Sequence, residues 1–279
     1  MLKPLFKTFD DNLITAEDFF SAMKKVGAAD AEILFIHFGM TFGTPNTELK
    51  RDEILGAIYS AIQNLGVKTI IFPTFTFSFP NGKDYNVAKS KSKMGALNEY
   101  VRRRPEAVRS IDPLMSVTLV GDKKYLATEI GHESCGKDCI FDLLRKESGV
   151  KFLFLGTSPA ECFTYTHYIE WALNVPYRYN RQFTGKIITP EKTYEDTYTL
   201  FVRYEGVIPG ANDFQPTLLN AKVALKENIG DAAVYCVDEK PVFNMLRDKI
   251  NNDINYMLAR PFPKVLKNKF VLTEEMVAL

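Results

Sequence analysis

Two rhythms of apolar residues alternate along the chain. Short uninterrupted runs at 33–36, 67–72 and 151–155 predict strands buried on both faces. Between them lie segments with apolar residues at three- and four-residue spacing. In the first, Thr15 is placed to cap a helix with Asp18 as its third residue and Phe19, Phe20, Met23 and Val26 on one side. In the second, Thr47 caps a helix carrying Leu49, Ile54, Ile58 and Ile62 that stops near Gly66. Residues 117–121, 177–188 and 197–206 predict further strands, the last two as an antiparallel pair, and 216–226 and 241–258 predict helices. The pattern predicts an α/β fold: a central, largely parallel sheet with helices on both faces, plus an antiparallel β extension. Residues 1–260 read as one domain and 261–279 as a C-terminal tail. The polar, turn-prone stretch 78–92 reads as a long loop, a kind of segment that is more often functional than accidental.

Composition narrows the function classes. At 279 residues, 46% apolar and 25% charged, the chain has the balance of a globular protein and can bury a sizeable core. Its 35 basic and 34 acidic side chains leave a net charge of +1, which gives no reason to expect nucleic acid or an acidic membrane as partner. No apolar run approaches the roughly 20 residues that span a bilayer. Four scattered cysteines (Cys135, Cys139, Cys162, Cys236) fit reduced thiols in the cytoplasm better than a disulfide framework.

Several segments imitate known chemistry. Residues 131–138 nearly spell a phosphate-binding P-loop, but Asp138 stands where a magnesium-ligating hydroxyl is required. His132, Cys135 and Cys139 offer three metal ligands with no second pair at structural-zinc spacing. Residues 156–160 sit where a nucleophile elbow would, yet Pro159 has no N–H for the oxyanion hole after Ser158.

A better constellation is formed by three segments just past the carboxyl ends of predicted strands: 37–39, 73–76 and 156–167. Ligands of open α/β sheets bind at that edge. The helix entered after Glu161 carries Thr164, His167 and Glu170 at three-residue steps, so that a histidine and a carboxylate share one helix side. A histidine so paired is a candidate general base, with a solvated surface pair as the bland alternative. Residues 43–47 lead into the second predicted helix, whose N-terminus would suit an anion. From Lys83 to Arg109, eight basic residues outnumber three acidic ones, a local excess of +5 that suits a polyanionic small molecule.

The blocks from Ser92-Lys93-Met94-Gly95-Ala96-Leu97 and from Arg109-Ser110-Ile111-Asp112-Pro113-Leu114-Met115-Ser116 resemble the aminoglycoside 3-N-acetyltransferase family. The resemblance runs from the His37 segment through Phe72-Pro73-Thr74-Phe75-Thr76 and Thr164-x-x-His167-x-x-Glu170 to Ile229-Gly230-Asp231-Ala232, covering roughly residues 15 to 255 in the family's order. It implies transfer of an acetyl group from acetyl-CoA, as co-substrate, to a small-molecule amine, with no metal. It places the family's catalytic pair on His167 and Glu170, with Thr164 beside them. His37, Phe38, Gly39, Thr74, Thr76, Arg109, Ser110 and Ser116 are the residues expected to hold CoA or shape its channel. Two departures bear on the acceptor: Phe38-Gly39 replaces a pair of hydroxyl residues, and Asp112 stands where the family has histidine.

The expected function is therefore acetyl-CoA-dependent N-acetylation of an amino sugar, either aminoglycoside-like or carried on a nucleotide, with His167 taking the amine's proton and Glu170 orienting the ring. A catalytically silent CoA-binding or scaffold protein of the same fold is the alternative. A metal-dependent hydrolase using His167, Glu170 and His132 or His37 stands third.

Overall fold

Apolar runs too continuous for one-sided burial must lie at the centre of a covered sheet, and the computed structural model, which describes residues 3–211 and 213–268, places them there. The main sheet has seven strands in the order β12 (Ala224–Ile229), β13 (Ala232–Asp238), β9 (Val150–Leu155), β3 (Ile33–Phe38), β5 (Thr69–Pro73), β8 (Val117–Gly121) and β7 (Val108–Arg109). The three central strands run parallel, with Phe35 of β3 opposite Phe152 of β9 and Ile71 of β5. The outer pairs are antiparallel, so the sheet is mixed, with its parallel part at the centre.

All six residues of β3 are buried, and alternate side chains enter two hydrophobic layers. One layer, with Leu34, Ile36 and Phe38, is covered by α1 (Ala16–Lys25), α2 (Arg51–Gln63) and α3 (Ala96–Arg102). The other, with Ile33 and Phe35, packs against α4 (Ile140–Arg145), α6 (Tyr165–Ala172), α7 (Phe214–Asn220) and α8 (Glu239–Asn252). A four-residue turn of helix, α5 (Pro159–Cys162), joins β9 to α6. On this second side stands the antiparallel extension, a hairpin of β10 (Arg178–Ile188) and β11 (Thr193–Arg203). A further small sheet joins β1 (Phe6–Lys7), β2 (Leu13–Ile14) and β4 (Thr44–Pro45).

Helix α1 begins as its spacing requires: the Asp18 carboxylate accepts both the N–H and the hydroxyl of Thr15, at 2.8 and 2.7 Å. The second helix corrects its expected start. Residues 44–45 pair with β1, and Asn46 closes a turn by accepting the N–H of Glu48 at 3.0 Å, so α2 starts only at Arg51. Its first turn is closed by Glu53, which accepts the N–H of Lys50 at 2.7 Å, and Thr47 is not its cap. The expected anion seat at 43–47 therefore has no helix N-terminus behind it.

Three other boundaries move. The helix expected at 216–226 is α7 followed by β12, because Lys222 turns the chain at φ 54° and the next residues pair in full register with β13. That strand, β13, is not foreshadowed by the apolar pattern. The last helix ends at Asn252 instead of 258, where the Asp253 side chain accepts the Asn255 N–H at 2.9 Å and builds a turn. The stretch 78–92 is a fastened strap: β6 (Tyr85–Asn86) pairs with Ile187 and Ile188, and the Tyr85 ring is fully buried. Of the expected tail, Phe262 packs on the ring of Tyr177 at 5.6 Å and the Lys267 carbonyl accepts the Glu205 N–H at 3.2 Å; 269–279 lie outside the described residues.

Candidate active site

The ends of β3, β5 and β9 bring 37–39, 73–76 and 156–167 to one edge of the sheet. The closest approach there is glycine against glycine. A Cβ on Gly39 would stand 2.3 Å from the Gly156 carbonyl oxygen, and Gly156 itself has φ 71°. After that turn, Ser158 opens α5 with its N–H donated to Glu161 at 2.8 Å; Phe163 breaks the helix, and Thr164 starts α6. The histidine and the carboxylate then follow three residues apart, as their spacing predicts.

Glu170 is 2% exposed and fully committed. Its Oε1 accepts the Tyr177 hydroxyl at 2.9 Å, and its Oε2 lies 2.6 Å from Nη2 of Arg178 and 3.5 Å from Nδ1 of His167. Burial alone would raise its pKa, but the Arg178 guanidinium outweighs that and holds it well below the usual carboxylate range. The same Nη2 of Arg178 lies 2.9 Å from Nδ1 of His167, while Nη1 donates to the Phe201 carbonyl at 2.8 Å. Arginine has donors only, so in this arrangement Nδ1 accepts and the ring proton sits on Nε2. Burial, and next the Arg178 charge, lower the His167 pKa to about 4. The side chain is nonetheless 30% exposed: with Nδ1 turned inward, its open edge carries Nε2. In this tautomer the open Nε2 is a donor, and the neutral ring accepts a proton there only once its own proton has moved to Nδ1. Thr164, one turn earlier, has a buried hydroxyl with no partner.

Arg178 is invisible to spacing arguments because a single arginine at the start of a strand carries no periodic signature. Nor does sequence spacing suggest Tyr177.

The other expected residues have defined places. His37 is 3% exposed, stacked on Phe154 at 5.0 Å, and burial lowers its pKa to about 3; its Nε2 is buried without a partner. Phe38 lies on the opposite layer, and Gly39 packs backbone to backbone at the sheet edge. Thr74 bonds the Thr118 hydroxyl at 3.1 Å, and Thr76 donates to the Pro113 carbonyl at 3.2 Å. Arg109 donates to the carbonyls of Ser90 and Thr74 at 2.6 Å and Val87 at 3.1 Å. Ser110 accepts the Val117 N–H at 2.9 Å, and Ser116 donates to Thr74 at 2.7 Å. These four polar groups (Thr74, Arg109, Ser110, Ser116) brace the wall behind the edge. Asp112 is likewise engaged locally. One of its carboxylate oxygens accepts the N–H groups of Leu114 and Met115 and the Ser134 hydroxyl, at 2.8, 3.0 and 2.9 Å. Burial raises its pKa.

The metal trio is dispersed. His132 faces Asp196 at 3.0 Å on the hairpin, whereas Cys135 and Cys139 are buried in the core. Among the described residues, no group of three or more histidine, cysteine or acidic side chains could hold a metal ion, and no helix is long and apolar enough to cross a membrane.

Depressions lie on the hairpin and beyond the end of β5. One, of about 640 Å³, lies on the hairpin and includes Glu133, Asn180, Gln182 and Thr199; on β10, Asn180 and Gln182 share a ladder side with Arg178. The other, of about 330 Å³, starts at Thr76 beyond β5 and is rimmed by Lys83, Lys91 and Lys93.

Comparison with known proteins agrees with this architecture. A family profile described as aminoglycoside 3-N-acetyltransferase matches residues 47–251. No curated protein sequence matches the chain significantly. Among solved structures, aminoglycoside acetyltransferase AAC(3)-Xa superposes with a TM-score of 0.72 at 16% identity, covering 88% of this chain and 94% of that one. AAC-IIIb in binary complex with CoASH gives 0.70 at 17%, covering 89% and 99%. AAC-VIa bound to sisomicin gives 0.69 at 14%, covering 84% and 98%.

Proposed function

The chain belongs to the aminoglycoside 3-N-acetyltransferase family, and from that premise we propose that it acetylates an amino sugar with acetyl-CoA, His167 taking the proton from the attacking amine. That it is an N-acetyltransferase follows from the family; the base and the acceptor are the inference. The observation that carries it is the neutral imidazole of His167, open on one edge and backed by a buried carboxylate.

The residues present fit the co-substrate. The sheet edge has an unpartnered buried hydroxyl at Thr164 and a lysine-rimmed depression beyond Thr76, and the neighbour AAC-IIIb was solved with CoASH. Bound acetyl-CoA supplies an activated acetyl group as a thioester. Proton transfer falls to the chain. An amine is protonated in water and attacks only once that proton is gone, so a base with a low pKa is already free to act at neutral pH. Taking the proton at Nε2 requires the tautomer with Nδ1–H, and Glu170, at 3.5 Å, is the acceptor that stabilises it. Arg178 favours the opposite tautomer, so catalysis proceeds with Arg178 withdrawn from Nδ1 while it keeps Glu170 and the Phe201 carbonyl. The donor we assign to the acyl oxygen is the Thr164 hydroxyl, because it is buried at the start of α6 with no partner.

The acceptor is the less cationic kind of amino sugar. A polycation calls for a lining of carboxylates, and among the described residues the hairpin depression offers one, Glu133, beside Arg181 and neutral amides. The enzyme works in the cytoplasm, where acetyl-CoA is available and its four free cysteines stay reduced.

Amine-dependent release of CoA thiol, measured over a panel of neutral, nucleotide-linked and polycationic amino sugars, tests the proposal. His167→Ala should lower turnover by about 10²–10⁴-fold, the usual contribution of a positioned base, while CoA still binds. Near-normal turnover in that variant would refute the assignment. CoA binding without turnover on any amine would favour the silent scaffold.

A further inference from the structure

Helix α6 carries its chemistry on one side and its anchors on the other. At about 100° per residue, Tyr165 and Tyr168 fall on the side opposite His167 and Glu170. Both tyrosines are buried, and each donates its hydroxyl to a carboxylate on another helix. Tyr168 reaches Asp142 of α4 at 2.8 Å, and Tyr165 reaches Oε1 of Glu239, the first residue of α8. The same Oε1 lies 2.9 Å from Nη1 of Arg145, the last residue of α4, whose guanidinium covers the Phe243 ring at 3.7 Å. One pair of hydroxyls thus ties the back of α6 to both neighbouring helices.

Packing alone does not call for this arrangement. Glu239 is 1% exposed, and its Oε2 is buried without a partner. Burying a carboxylate costs free energy that an apolar side chain of similar size would not, and the best-attested use of a buried pair is to fix register or orientation. The rings leave the rotation of α6 open. Tyr165 stacks on Phe152 at 4.8 Å and on Tyr168 at 5.7 Å, contacts that tolerate sliding in the ring plane. The hydroxyls, by contrast, are directional.

Rotation matters because the catalytic histidine meets a partner that does not travel with the helix. Glu170 moves with α6, whereas Arg178 and Arg203 stand opposite each other on β10 and β11. Side chains reach about 5–6 Å from a helix axis, so a turn of about 10° carries the His167 ring by about 1 Å. Such a turn changes both the 2.9 Å approach of Nδ1 to Arg178 and the aim of Nε2. A misplacement of about 1 Å can cost about 10²-fold in rate.

We propose that Tyr165 and Tyr168, held by Glu239 and Asp142, are positioning residues that set the rotation of α6 and with it the place of the His167 imidazole. The proposal rests on His167 being the base.

Tyr165→Phe and Tyr168→Phe, singly and together, remove the hydroxyls and keep the rings, so the variants should fold. Ile250→Val, in the buried side of α8 about three turns from Glu239, is the control for a packing loss elsewhere in the same layer. In 15N-edited NMR near neutral pH, the His167 ring signals, identified by their loss in His167→Ala, should move in the double variant and stay in place in Ile250→Val. In acetyl transfer to glucosamine, UDP-glucosamine or sisomicin, whichever the wild type acetylates fastest, kcat of the double variant should fall about 10²-fold with the KM for acetyl-CoA unchanged. Glu239→Gln gives the converse: its amide oxygen still accepts from Tyr165 while Arg145 loses its counter-charge, so the melting temperature should drop with kcat largely kept. Wild-type kcat, or unmoved ring signals, in the folded double variant would overturn the proposal. So would a kcat that simply follows the melting temperature across the tyrosine variants, Glu239→Gln and Ile250→Val. Near-normal turnover in His167→Ala would overturn it by a different route, through the base reading on which it rests.

Discussion

The guanidinium of Arg178 stands 2.9 Å from Nδ1 of His167, nearer than the carboxylate of Glu170 at 3.5 Å. The atom through which an acid would orient the ring is thus contested by a cation. Burial and this cation keep the imidazole neutral down to about pH 4, so the acid limb of the rate profile should lie near that value and not near the ordinary 6.5 of histidine. Burial and the Arg203 charge remain in Arg178→Gln, but one cause of the lowering is gone, and the limb should move upward. Profiles of kcat/KM against pH for both proteins measure this directly. An unchanged limb in a folded Arg178→Gln would mean that the guanidinium does not act on the ring.

Thr164 offers a sharper separation of chemistry from packing. Its hydroxyl is buried and unpartnered, an arrangement that costs free energy unless a bound group completes it. Thr164→Val keeps the shape and removes the donor. If the hydroxyl supports the acyl oxygen, kcat should fall by about 10²-fold with CoA affinity little changed. If turnover survives, the hydroxyl is part of the helix start and nothing more.

Arg109 is expected from the sequence to hold CoA, and its surroundings point to a different experiment. It joins the strap at Val87 and Ser90 to the end of β5 at Thr74, and it lies over the Tyr85 ring at 5.2 Å. Arg109→Met leaves the part-buried carbonyls of Val87 and Ser90 without this donor, while Ser116 still serves Thr74, and unties the strap from β5 at a cost of about 1–3 kcal/mol. The melting temperature should drop and residues 78–92 should become the first site of proteolysis. A stable, protease-resistant variant with weakened CoA binding would return Arg109 to the co-substrate.

How far the sequence can be read follows from where each signal is local. The central strands are visible because burial on both faces leaves an unbroken apolar run, and the His167–Glu170 pair because helix periodicity fixes neighbours at three residues. Residues 224–238 mislead because β12 is an edge strand, only its end residues Ala224 and Ile229 being buried, and it takes its form from pairing with β13. Thr47 looks like a cap, but Asn46 and the pairing of 44–45 with β1 decide where α2 begins. Tyr177 and Arg178 reach the site only because the hairpin folds back on α6, a tertiary fact with no signature in spacing. For Asp112 the reverse holds: its role is a local turn, but the residues beside it do not reveal that Ser134 also bonds to it.

The buried trio of Glu170, Arg178 and His167 also predicts how stability responds to acid. Glu170 titrates well below the ordinary carboxylate range in the folded chain, so its contribution is complete above about pH 4.5 and is lost as pH falls towards the folded value. His167 has a folded pKa of about 4, lower than the 6.5 of an unfolded histidine. The unfolded chain therefore takes up a proton first, and stability declines as pH falls from about 6.5 to 4. The two windows are separable. Glu170→Gln strands the Arg178 charge, 4% exposed, without its partner and should cost about 3–5 kcal/mol at pH 7, the range for breaking a buried ion pair. Its deficit against the wild type should stay level until about pH 4.5 and narrow below it. His167→Gln should instead flatten the decline between 6.5 and 4 while leaving the lower window in place. Urea denaturation at half-unit pH steps distinguishes these shapes, and a deficit for Glu170→Gln that narrows already above pH 6 would contradict the depressed carboxylate.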